Sequence, residues 1–144
     1  MNAQKMTQKT LEAIQLAHTT AVERGNQQIE QLHLLYALLA QQDSLNAQLL
    51  KKMGIEPAAF SRSVEQELGK IPSVSGPGRE EGKIYISQET DQALAKAEKT
   101  ADAMKDEYVS VEHLMLGLME EANTALKQLF NLFHIQKNDF LKAL

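Results

Sequence analysis

The chain has 144 residues, a formal net charge of −4, and neither cysteine nor tryptophan. The missing cysteines exclude disulfides, thiolate zinc sites and a cysteine nucleophile, and the mild, dispersed negative charge offers no basic face to a nucleic acid. A single domain of this size buries roughly two-thirds of its unfolded surface, so a core needs neither a disulfide nor a metal.

The longest apolar runs, such as Leu32 to Ala40, are too short to cross a bilayer. Met1-Asn2-Ala3-Gln4-Lys5 lacks a signal-peptide pattern, and the expected location is the cytoplasm. Ala, Leu, Gln, Glu and Lys dominate, which favours helix.

The sequence repeats itself at a spacing of 80 residues without a gap, from Thr7 and Ser87 through Ala17 and Ala97, His33 and His113, Leu49 and Leu129, to Phe60 and Phe140. The matched residues are mainly apolar or small, so the repeated feature is a core. The expected fold is all-α: eight helices as two tandem four-helix repeats related by a pseudo-two-fold, in a single domain over 1–144. Repeat one covers 6–68, a linker 69–85, and repeat two 86–144.

The first helix of each copy starts at a hydroxyl N-cap, Thr7 or Ser87. Leu11, Ile14, Ala17 and Ala21 recur at helical spacing. Gly25-Asn26 ends this helix in the first copy and Lys105-Asp106 takes that place in the second. The second helix, Leu32 to Leu39 or His113 to Met119, is apolar almost all round and reads as the buried centre of its repeat. Ser110 is its N-cap in the second copy, with Glu112 in the first turn. A short third helix follows Ser44 or Thr124 and stops near Gly54 or His134. The fourth opens at Glu56-Pro57, with its counterpart near Lys137-Asn138. That last pattern runs to Leu144, and the chain is expected to be one domain of a longer protein. The linker holds two of the three prolines and four of the seven glycines. It lacks the preceding strand and the G-K-[ST] ending of a phosphate-binding loop.

No motif supports catalysis or metal binding. His33 and His113 have no second histidine four residues away and read as semi-buried groups bonded to a neighbouring loop, whereas His18 and His134 face solvent. Asp106, Glu107 and Glu112 read as caps of a helix start rather than as an acid/base pair. Met115 and Met119 read as core. Met104 and Tyr108 differ, because their partners at the 80-residue spacing are Arg24 and Gln28. An apolar side chain where the other copy tolerates a polar one points to an exposed apolar patch.

The two helices that open His33-Leu34-Leu35 and His113-Leu114-Met115, set in this duplication, resemble the Clp N-terminal domain family of hexameric AAA+ unfoldases. Ile71-Pro72-Ser73-Val74-Ser75-Gly76, Tyr85-Ile86-Ser87 and the run from Lys105 to His113 favour the ClpB branch. The resemblance implies a non-enzymatic substrate-binding domain of an ATP-dependent disaggregase. It would capture unfolded or aggregated polypeptide through a shallow apolar groove with an acidic rim. The cofactors, ATP and magnesium, would belong to other domains of a homohexamer that works with a DnaK-type chaperone system, and the isolated domain would be a monomer. The family's polar binding positions fall on Thr7, Asp106 and Glu112, which with Met104 and Tyr108 make the candidate substrate site. Lys96 and Thr100 stand where the family's groove is apolar. The alternative is a docking domain for a folded adaptor, as in the ClpC and ClpA relatives. A stand-alone enzyme using Asp106 and Glu112, and a purely structural spacer, are the remaining readings.

Overall fold

The structure is a computed structural model that describes residues 2–74 and 84–144; the centre of the expected linker, 75–83, lies outside the described residues. The described residues form eight α-helices: α1 (Gln8–Glu23), α2 (Gln31–Ala40), α3 (Leu45–Lys52), α4 (Pro57–Leu68), α5 (Gln88–Ala103), α6 (Val111–Glu120), α7 (Thr124–Leu132) and α8 (Lys137–Ala143). The all-α expectation holds, four helices to each copy.

The helix boundaries follow local chemistry. The Oγ atoms of Thr7 and Ser87 accept the N–H groups of Thr10 and Thr90 at 3.2 and 3.1 Å. Pro57 occupies the first turn of α4, where its missing N–H leaves no bond unmade. One start differs from expectation: α7 is capped by Asn123, whose Oδ1 accepts from Leu126 N–H at 3.1 Å, so Thr124 is its first helical residue. Asparagine serves as well as a hydroxyl residue there and begins the helix one residue earlier. α1 and α5 end alike, with Asn26 N–H donating to Ala21 and Asp106 N–H to Ala101, each at 2.9 Å, across a left-handed residue. That residue is Gly25 (φ 72°) in one copy and Lys105 (φ 61°) in the other.

No strand is expected from the sequence, and the structure has two short ones, β1 (Gln28–Ile29) and β2 (Tyr85–Ile86), paired in parallel. Met6 bridges Val109 in the same way. Each copy's entry segment thus pairs with the other copy's loop between its first two helices, a reciprocal exchange with pseudo-two-fold symmetry. Strands of two residues carry no period, so nothing in the pattern marks them.

The core is continuous through both copies. α2 and α6 lie at its centre, with Leu35, Leu38, Leu114 and Leu118 fully buried. Small residues on α1 and α5 (Ala13, Ala17, Ala93, Ala97) let these helices approach. At Gly117 of α6 an added Cβ would lie 2.3 Å from the Ala93 carbonyl oxygen of α5. α4 packs on α7 across the pseudo-axis, with the Phe60 ring edge-on to Phe133 at 5.0 Å between centroids. Buried Gln31 clasps the two copies: its Nε2 donates to the carbonyls of Glu89 (2.9 Å) and Glu121 (2.7 Å), and its Oε1 accepts from Asn123 N–H (2.8 Å).

Candidate functional site

Two places on the second copy hold the residues singled out by sequence: the corner between α5 and α6, and an open groove beside it. The corner depends on His113. This side chain is buried rather than half-buried, and both its ring nitrogens are engaged. Nδ1 accepts the Ser110 N–H at 2.8 Å, the bond a Glu or Gln makes in an ordinary capping box. Nε2 therefore carries the proton and donates to Asp106 Oδ2 at 2.8 Å. The pair has the look of a catalytic dyad, but with one nitrogen accepting from backbone and the other donating to the carboxylate, neither can act as a base. His33 is held identically, by Glu30 N–H and by Asn26 Oδ1, each at 2.8 Å. Burial, with Arg24 adding to it, lowers the His33 pKa to about 4.

The other sequence-predicted residues sit around this corner in different states. Thr7 is brought to it by the exchanged segment: its N–H donates to the Val109 carbonyl at 3.1 Å, and its Oγ1 lies 2.8 Å from Thr10 Oγ1. Thr7 thus joins the corner to α1 and spends its hydroxyl on capping. Asp106 gives one oxygen to His113 and leaves its side chain 48% exposed. Glu112 is half-buried, and its Oε1 has no hydrogen-bond partner among the described residues. Met104 and Tyr108 are 43% and 48% exposed, at the end of α5 and in the loop beyond it.

The groove, of about 410 Å³, runs between α5 and α8 over α6. Its apolar surface comes from Ala103, Met104, Leu116 and Leu141, and its charged lining from Lys96, Lys99 and Lys137. Lys137 is ion-paired with Glu120. Of the five sequence-predicted residues only Met104 lines the groove. The carboxylates of Asp106 and Glu112 belong to the corner, so the charge that lines the groove is basic. Lys96 and Thr100 line it as well.

Leu141, Lys99 and Lys137 escaped the sequence analysis. Leu141 was findable by the reasoning that singled out Met104, since its partner at the 80-residue spacing is Ser61. The lysines carry no such signal, because a lone lysine on a helix is ordinary solvated surface. His18 is half-buried rather than solvent-facing, whereas His134 is exposed. Among the described residues no group of three or more His, Asp or Glu side chains is placed to hold a metal, and no helix is long and apolar enough to cross a membrane.

The pattern of the Clp repeat (R) N-terminal domain matches residues 5–133. The chaperone protein ClpB of Bacillus anthracis is 41% identical over 144 residues, which are all of this chain and 16% of that protein. The ClpB of Nitratidesulfovibrio vulgaris is 40% identical over 145 residues and 17% of its length. The present chain thus spans about a sixth of these relatives. The crystal structure of the Hsp104 N-terminal domain from Candida albicans superposes with a TM-score of 0.83 at 29% identity, covering 96% of this chain and 88% of that one. The N-terminal domain of ClpD from Arabidopsis thaliana shares the fold at 18% identity, with a TM-score of 0.75 over 99% of this chain and 94% of that one. A duplicated four-helix core with a buried histidine at each corner, matched in sequence and in fold over nearly its whole length, places this chain in the Clp N-terminal domain family.

Proposed function

We propose that this domain captures unfolded or aggregated polypeptide for a ClpB-type, ATP-driven disaggregase. The carrying observation is an asymmetry between the copies. Met104, Tyr108 and Leu141 are exposed on the second copy, where the first has Arg24, Gln28 and Ser61. A stable core gains nothing from exposing apolar side chains at three such positions, whereas a surface that meets uncovered apolar side chains does. The patch is small and shallow, which suits weak, sequence-tolerant binding with repeated release. In this reading the groove takes apolar side chains and its lysines tolerate acidic flanks. The corner, with Asp106, Glu107 and Glu112, favours basic residues instead. Thr7 acts by holding the corner in place.

ATP and magnesium would be bound by other domains of the parent chaperone, a cytoplasmic homohexamer partnered by a DnaK-type system. The likeness of the chain to ClpB relatives supports this placement. The test is an NMR titration with an unstructured, apolar-rich polypeptide. Fast-exchange shifts at Met104, Tyr108 and Leu141, lost in the Met104→Arg/Leu141→Ser variant that copies the first repeat, are the expected result. No shifts at millimolar polypeptide, together with saturable 1:1 binding of a folded adaptor, would instead favour the adaptor-docking role.

A further inference from the structure

The corners at α1–α2 and α5–α6 are the same piece of backbone, and among the described residues only one of them is covered. Both have the left-handed residue, the matching 2.9 Å bond that closes the helix, and a histidine with both nitrogens engaged at 2.8 Å. In the first copy the chain's own residues 72–74 lie across the corner. Val74 N–H donates to the Gly25 carbonyl at 2.7 Å, and Asn26 Nδ2 donates to the Pro72 carbonyl at 3.2 Å. Gly25 and Asn26 are buried as a result. In the second copy Lys105 and Asp106 are exposed, and no hydrogen bond reaches the Lys105 carbonyl among the described residues.

We propose that the α5–α6 corner docks an extended polypeptide segment bearing a lysine or arginine, held as residues 72–74 are held on the first corner. This deepens the polypeptide-capture reading and rests on it. The first copy supplies the template. An incoming backbone N–H takes the place of Val74 N–H and donates to the Lys105 carbonyl. Two residues earlier the chemistry must change sign. Asn26 offers an N–H to a carbonyl, whereas Asp106, with Oδ2 already accepting from His113, offers only a second carboxylate oxygen. A carbonyl there would be repelled, and a cationic side chain would make a charge-assisted bond. Glu107, next in the chain, is exposed as Asp106 is, and the exposed Met104 and Tyr108 offer apolar surface to the neighbours of the basic residue.

The probes are two capped hexapeptides, acetyl-Ala-Ile-Lys-Ser-Val-Ala-amide and its counterpart with proline in place of lysine, titrated into the intact chain and followed by NMR. The lysine peptide is expected to shift the amides of Lys105, Asp106 and Glu107 and to bind more tightly than the proline peptide. Asp106→Asn keeps an oxygen for His113, as Asn26 does for His33, and should reduce that preference by about tenfold. A lysine peptide N-methylated at the valine, titrated into the unsubstituted chain, should bind more weakly because it has no N–H for the Lys105 carbonyl. Equal binding of all three peptides, shifts at Gly25 and Asn26 instead of the second corner, or shifts at that corner that grow with protein concentration alone (a second copy as occupant) would each overturn the proposal. If long unfolded chains bind at the groove while the lysine peptide leaves the corner untouched, this docking mode falls and the capture reading stands. If neither binds, both fall.

Discussion

Among the described residues the first repeat closes its corner and the second leaves it open, although the two share backbone, histidine and hydrogen-bond lengths. In the first, Asn26 is 1% exposed and bridges His33 to the Pro72 carbonyl. In the second, an aspartate takes that position and stands in solvent. A neutral amide is used where the group is buried and must donate as well as accept, and a carboxylate where water is present to solvate it. The duplicated scaffolds thus differ in use: one is sealed by residues 72–74, and the other carries exposed apolar and acidic groups. The same contrast runs through α2 and α6, where buried Ala37 corresponds to Gly117. The second copy packs its first two helices so closely at that point that a methyl group meets backbone.

The contrast can be broken most severely at the closed corner. Asn26→Asp places a carboxylate against the Pro72 carbonyl in a buried site and should cost about 4 kcal/mol at neutral pH, read from denaturant unfolding. Asp106→Asn, the reverse exchange on the open corner, should change stability by less than about 1 kcal/mol; equal costs at the two sites would undo the distinction between sealed and open. Next is Gly117→Ala. Its Cβ would press on the Ala93 carbonyl, and forcing α5 and α6 apart should destabilise by about 3 kcal/mol, seen as a fall in thermal midpoint.

Acid sharpens the comparison through His33. Its folded pKa of about 4 lies below the ordinary value of 6.5, so between these values the unfolded chain binds more protons than the folded one. The stabilisation is complete above pH 6.5 and is lost as pH falls toward 4, amounting to a loss of about 2 kcal/mol at pH 5. Unfolding series at pH 7 and pH 5, with the His33 ring followed by NMR, check both the sign and the residue responsible. The smallest effect is expected at Lys105, which holds a left-handed conformation that glycine holds in the first copy. Lys105→Gly should stabilise by about 0.5 kcal/mol, the strain relieved being partly offset by the greater freedom of glycine in the unfolded chain. A loss of stability would show that the lysine stem makes a contact worth more than its strain.

Much of this molecule was readable one residue at a time. The caps at Thr7 and Ser87, the apolar centre from Leu32 to Leu39, and the stops at Gly25 and Gly54 are local signals acting over a few residues. The 80-residue register then did what a single window cannot, since comparing Met104 with Arg24 and Tyr108 with Gln28 separates exposed apolar residues from core ones. The same comparison applied to Leu141 and Ser61 would have found one more. It failed for the lysines of the groove, whose side chains look like any solvated helix face until α8 is seen beside α5.

By itself, the sequence determined the helices, the duplication and the all-α class, because capping chemistry, helical periodicity and a repeated core are written in residues close together or at one fixed spacing. Only the tertiary structure decided what is near what. The exchange that pairs Ile29 with Ile86 and Met6 with Val109 brings Thr7 to a corner built about a hundred residues away. Whether a carboxylate is structural or available depends on such placements: Asp106 orients a buried histidine and still faces water, while Glu112 has an oxygen buried beneath the surface. Burial and partnership are properties of contacts between distant segments, set by how the whole core closes, and no local pattern of residues encodes them.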